Sequence, residues 1–132
     1  MIKAKNSPPE LERHITRPIH QYLEIQERRG NLIYIRNNTG ATRFTRPNGQ
    51  VGMIRYGKVG SPDFIVWKKS IEQIHTSKGP LTVNYFRTYF LEVKTSKGKQ
   101  SPGQKEFQKQ AVRMGADYFI VRSLQDVINI IL

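Results

Sequence analysis

Ser61-Pro62-Asp63-Phe64-Ile65-Val66 and, further along, Phe90-Leu91-Glu92-Val93-Lys94 are the stretches that decide how this chain is read. Each joins a carboxylate to a short apolar run of strand type. Asp63 opens Phe64-Ile65-Val66-Trp67, and Glu92 with Lys94 closes Tyr89-Phe90-Leu91. Side chains alternate along a strand, so Glu92 and Lys94 share one face while Val93 points to the other, into the core. Charged groups that abut core strands require partners or a metal.

Asp63 with Glu92-x-Lys94 suits the hydrolysis of a phosphodiester, a poor electrophile ringed by negative charge. A hard divalent cation neutralises the phosphate and lowers the pKa of an attacking water. Mg²⁺ takes one or two carboxylates, completed by waters and substrate phosphate. Asp63 and Glu92 are the candidate carboxylates. Lys94 would orient the nucleophilic water and offset charge building in the transition state. Taken singly, the pieces also have ordinary readings. A Glu-x-Lys triplet is expected by chance about 0.5 times in a chain of this size and is usually a solvated ion pair. Pro-Asp is commonly a turn. The triplet and the dipeptide leave both readings open.

Twenty-two Lys and Arg against 10 Asp and Glu leave a formal charge of +12 on 132 residues. That length predicts a single domain, 1–132, with one modest core. The charge predicts a polyanion partner, and nucleic acid fits better than a membrane because no stretch approaches about 20 apolar residues. The absence of cysteine excludes disulfides and thiolate metal sites, and fits a reducing compartment. Met1-Ile2-Lys3-Ala4-Lys5 has no apolar run after it, so an intracellular, cytoplasmic protein is expected. His14, His20 and His75 lack the spacing of a zinc site and are expected to be surface or packing residues.

Ser7-Pro8-Pro9-Glu10 predicts a helix start with a capping box, running towards Gly30. Leu11, Ile15, Ile19, Tyr22 and Leu23 form its apolar stripe, and Glu12 projects within that stripe, which makes it a third candidate acid. A helix-start acid favoured by the macrodipole accounts for it equally well. Pro18 should kink or break the helix near Arg17. Asn31 to Arg36, with Leu32-Ile33-Tyr34-Ile35 at its centre, reads as a short apolar strand. Asn48-Gly49 predicts a hairpin in a glycine-rich stretch carrying Arg43, Arg46, Arg55 and Lys58 with Phe44 and Tyr56. It is either a phosphate-approaching segment or a solvated hairpin.

Strands are expected at Phe64 to Trp67 and Tyr85 to Lys94, with an extra strand at Ser70 to His75 and a turn at Ser77-Lys78-Gly79-Pro80, forming a meander. Ser101-Pro102-Gly103-Gln104 is a second capping box, opening a helix that ends at Gly115. On it Phe107, Ala111 and Met114 make one face, and Lys105, Lys109 and Arg113 make a basic stripe. A strand at Tyr118 to Val121 and a helix capped by Ser123 complete an α/β fold, one central mixed sheet flanked by helices.

Glu12-x-x-Ile15, Ile19-x-x-Tyr22-Leu23, Ile35-Arg36-Asn37, Gly60-x-Pro62-Asp63, Glu92-Val93-Lys94, Ser101-Pro102-x-Gln104 and Gly115-Ala116-Asp117-Tyr118 stand in an order that resembles the virus-type replication-repair nuclease domain (VRR-NUC) of the PD-(D/E)xK superfamily. The resemblance covers nearly the whole chain. It implies a restriction-endonuclease-like core and Mg²⁺- or Mn²⁺-dependent cleavage of DNA. Asp63 and Glu92 would be the metal-binding acids, with the Val93 carbonyl and Glu12 as further metal ligands. Lys94 would be the catalytic lysine, Glu12 the helix-borne acid, and Gln104 a residue near the site, although its capping box is itself a sufficient reason for glutamine there. Arg36, Asn37, Arg43, Arg46, Lys97, Lys99, Lys105 and Lys109 are the candidate DNA contacts. Stand-alone members resemble phage or bacterial nucleases of branched DNA such as Holliday junctions, which implies a homodimer in a bacterial or phage-infected cell. Two other readings are a non-enzymatic DNA-binding module of the same fold and a duplex nicking or restriction-type nuclease.

Overall fold

The computed structural model describes residues 11–37 and 40–132, so the capping box expected at Ser7 to Glu10 lies outside the described residues. Helix α1 spans Glu12–Arg28 and follows Leu11, whose backbone is extended (φ −111°, ψ 139°). Strands β1 (Ile33–Arg36), β2 (Gly40–Thr45), β3 (Val51–Tyr56), β4 (Phe64–Thr76) and β5 (Gly79–Val93) come next. Helix α2 (Pro102–Arg113), strand β6 (Asp117–Val121) and helix α3 (Leu124–Ile131) complete the chain. The sheet runs β1-β4-β5-β6, antiparallel except for the parallel β5–β6 pair, so the fold is mixed α/β around a mixed sheet. Strands β2 and β3 form a separate two-stranded ribbon.

Alternation along β4 and β5 sorts the helices onto the two faces. Phe64, Val66, Tyr89 and Leu91 join Ile15, Ile19 and Leu23 of α1 and Val127 and Ile131 of α3 in one buried cluster. Phe90 points the other way and meets Phe107 of α2 edge to face, with centroids 5.2 Å apart. Helix α2 is held at its start by the expected capping box and by Pro102 in the first turn. Ser123 caps α3, its hydroxyl accepting from the Asp126 amide at 3.2 Å.

Three expectations are corrected. Pro18 does not break α1, which is continuous from Glu12 to Arg28. The fully buried Ile19 and Leu23 each gain about 1.5–3 kcal/mol from burial, enough to offset the roughly 3 kcal/mol cost of an interior proline. The meander is one long hairpin, because Ser70 to His75 continues β4 and pairs with β5 as far as Thr76 with Gly79. Met114 is 85% exposed and contributes nothing to the core face of α2. Among the described residues no helix is long and apolar enough to cross a membrane.

Candidate active site

Asp63 sits where β4 begins and Glu92 near the end of β5, and the Phe64–Leu91 pairing brings them together on the α2 face of the sheet. Beyond Phe64 the ladder stops: the Pro62 carbonyl accepts from the Asn37 side chain at 2.8 Å, and the amide of Val93 donates to Asp63 Oδ2 at 2.7 Å, which fixes that carboxylate. Val93 itself is fully buried, as the alternation requires.

Glu92 is 3% exposed. Its Oε1 accepts from Gln104 Nε2 at 2.9 Å and lies 3.7 Å from Lys94 Nζ. Its Oε2 is buried without a hydrogen-bond donor. Burial pushes the Glu92 carboxyl up to about 8, helped by the charge of Asp63 and opposed by Lys94. Two carboxylates and an orphaned buried oxygen form a site that is unsatisfied without a cation or a shared proton.

Gln104 serves both of its expected roles at once. Its Oε1 accepts from the Ser101 amide at 2.9 Å, closing the capping box, while its Nε2 reaches Glu92. The first turn of α2 is thereby wired to the acid pair. Lys94 ends the sheet, its amide donating to Val121 O at 3.0 Å, and its ammonium lies between Glu92 and Glu12, whose Oε1 is 3.8 Å away. Glu12 approaches the site through Lys94, but its side chain is half exposed, not buried with the apolar stripe as its spacing predicts. Among the described residues no three His, Asp or Glu side chains converge as a ready-made cage. Glu12 is placed against Lys94, and its charge adds to the upward push on Glu92.

Asn37 is expected at the DNA surface, yet the structure turns it inward. Its side-chain amide donates to Ser61 Oγ (2.7 Å) and Pro62 O (2.8 Å), and its backbone amide to Asp63 O (2.7 Å). It pins the Ser61-Pro62-Asp63 loop to the end of β1. Arg36, Arg43, Arg46, Lys97, Lys99, Lys105 and Lys109 are all exposed. Lys97 and Lys99 ride on a loop that Arg122 clamps from below, donating to Gly98 O at 2.9 Å and to Thr95 O. His20 packs its ring against Tyr34 and Phe64, a packing role as expected.

Sequence reasoning passed over Arg122, for which nothing in the local sequence stands out. It also passed over the pair Gly60 and Gly103. A glycine in the first turn of a helix, where most residues do better by up to about 1 kcal/mol, was the available signal. Gly60 adopts φ +81°, and a Cβ there would lie 2.3 Å from Gly103 O, so the two backbones touch. No family model, curated protein or solved structure matches the chain.

Proposed function

We propose that the chain is a divalent-metal-dependent DNA endonuclease with a restriction-endonuclease-like core of the VRR-NUC kind, acting on branched DNA such as a four-way junction. The observation that carries this reading is the buried Glu92 carboxylate, with one oxygen unsatisfied, beside Asp63 and Lys94 in a chain of charge +12. Asp63 and Glu92 fit a Mg²⁺ or Mn²⁺ ion, which needs only one or two protein carboxylates, and the Val93 carbonyl is the further oxygen that the resemblance implies. When bound, the cation supplies charge neutralisation at the phosphate and a water of lowered pKa.

The remaining steps belong to the chain. Gln104 holds Oε1 of Glu92, so the unpartnered Oε2 is the oxygen that would be available to hold a cation. The Val93 amide fixes one oxygen of Asp63. Lys94 orients the attacking water and stabilises charge on the pentavalent transition state, and Glu12 holds its ammonium in place. A binding-only module has no use for two adjacent carboxylates, one of them buried, which repel both each other and DNA.

The test is cleavage of matched linear duplex, flap and four-way-junction DNAs in Mg²⁺, Mn²⁺ or EDTA, with Asp63→Ala alongside. Cutting of branched DNA that requires the cation and falls at least about 100-fold in the variant is expected, with binding retained. Tight binding without cutting under either cation would favour the binding module. Equal cutting of linear duplex would remove the branch preference.

A homodimer fits the same reading, since two symmetric cuts call for two sites. The far half of the β4–β5 hairpin supplies a surface for it. Ile71 and Phe86 (67% exposed) lie, with Ile33, on the sheet face that carries α2 yet are left uncovered. Residues 70–86 carry only Glu72 and Lys78 as charges, which cancel. Beyond residue 70 a second copy meets a surface without net charge, with the exposed Lys69, paired with Phe86, at its near edge. Sedimentation at micromolar concentration is expected to show a dimer that Phe86→Ser dissociates; a monomeric parent protein would refute this arrangement.

A further inference from the structure

The β2–β3 ribbon is built unlike the rest of the molecule. Neither strand buries a side chain, and in register Gly40 faces Tyr56, Thr42 faces Ile54 and Phe44 faces Gly52, all on one side. Each aromatic ring therefore lies across a glycine on the opposite strand. A Cβ on Gly52 would sit 2.3 Å from the Phe44 ring, and one on Gly40 2.8 Å from Tyr56 Oη. With no side chain beneath them the rings lie low against the backbone, yet Phe44 remains 37% and Tyr56 48% exposed. The guanidinium of Arg46 sits 5.7 Å from the Phe44 centroid. The two rings are four residues apart along the ribbon, about 13 Å, with Ile54 between them.

Charge separates this ribbon from the long hairpin. Residues 40–60 hold Arg43, Arg46, Arg55 and Lys58 and no acid, whereas the far half of β4–β5 is neutral. Exposed ring faces with cations and no anions are complementary to nucleic acid, and an exposed ring gains by stacking only where a base is already out of its duplex. Both ends of the ribbon lead into the candidate active site. Asn37, before it, holds the Pro62 and Asp63 carbonyls, and Gly60, after it, packs on the start of α2.

We infer that the β2–β3 ribbon is a base-stacking arm that takes unpaired nucleotides, with Phe44 and Tyr56 as its platforms. Single-stranded DNA, or the unpaired bases at a branch, is its ligand, and duplex DNA meets only its arginines. The link to cutting rests on the nuclease reading; the stacking does not. Under both, the arm places an unpaired strand beside Asp63 and selects branched over linear DNA.

Binding is measured in EDTA, where no cleavage intervenes, with an oligothymidylate of about 16 nucleotides carrying one 2-aminopurine, a base whose fluorescence is quenched on stacking. Phe44→Leu and Tyr56→Leu keep an apolar cover over the glycines but lose the ring. Each is expected to bind about 5- to 150-fold more weakly with the quench reduced, duplex binding changing less than about 2-fold, and Phe44→Trp is expected to restore both. Unchanged binding and quench in both leucine variants would overturn the arm. So would a loss that Phe44→Trp fails to restore, or a shift from dimer to monomer in the leucine variants with oligonucleotide binding intact, which would give the surface to a second copy. Normal stacking in a protein that cuts nothing would count against the nuclease reading alone.

Discussion

Replacing Glu92 with glutamine is expected to abolish cleavage and yet raise the melting temperature of the metal-free protein at pH 8. The Glu92 carboxyl is pushed up to about 8, chiefly by burial and then by Asp63, from an ordinary value of 4.5. Between those two values the folded protein holds a proton that the unfolded chain has released, so stability falls as pH rises through the window. Above pH 8 the destabilisation is complete; below about 4.5 it is absent. Glutamine is neutral throughout and still accepts from Gln104, so the variant escapes the fall. A gain on the order of 2 kcal/mol at pH 8 is expected, shrinking towards zero at pH 4.5.

Divalent cations reverse the comparison. The parent protein is expected to be stabilised by Mg²⁺ or Mn²⁺ through mass action, more strongly at higher pH as the acid pair loses its proton on binding, and Glu92→Gln is not. Thermal melts in EDTA and in each cation, at several pH values, read both effects without any DNA present. A variant no more stable than its parent at pH 8 would show that the buried acid is already satisfied and would weaken the case for a metal there.

Gly60→Ala is expected to be the most damaging single-methyl change in the molecule. The new carbon would need φ +81° and would lie 2.3 Å from Gly103 O and 2.9 Å from the Gln104 amide nitrogen, both backbone atoms that have no side-chain rotation to escape by. Left-handed backbone alone costs about 1–2 kcal/mol, and the clash brings the total to roughly 3 kcal/mol, about 10 °C in melting temperature. Gln104 would be displaced with it, loosening the bond that orients Glu92. Gly103→Ala is the control. Its Cβ would meet nothing closer than Val59 Cγ1 at 3.5 Å, and in a helix alanine gains up to about 1 kcal/mol over glycine. If both variants melt alike, the loop and helix are not in the contact described.

Much of this was legible because it is local. Ser101 and Gln104 spell a capping box whose geometry depends on four consecutive residues, and Asn48-Gly49 marks its turn through the φ +83° that glycine adopts there. Glu92 and Lys94 had to share a face once the segment was a strand, and they lie 3.7 Å apart. The extent of β4 was not legible. Lys68-Lys69-Ser70 interrupts the apolar pattern, and only pairing with β5 carries the strand on to Thr76. The inward turn of Asn37 was hidden too, because its partners Ser61 and Pro62 are some two dozen residues away.

By itself, then, the sequence determined the order of elements, the alternation that puts an acid and a lysine side by side, and a charge of +12 that asks for a polyanion. Those follow from propensity, periodicity and composition, which act within a few residues or over the whole chain. Only the tertiary structure decided that Asp63 and Glu92 meet, that Glu92 is buried with one oxygen unsatisfied, and that Glu12 reaches the site through Lys94. Each of those depends on which residues are apposed across the sheet and how far water is excluded there. Desolvation and charge coupling grow steeply as groups approach and water leaves, and neither quantity exists until distant segments have packed.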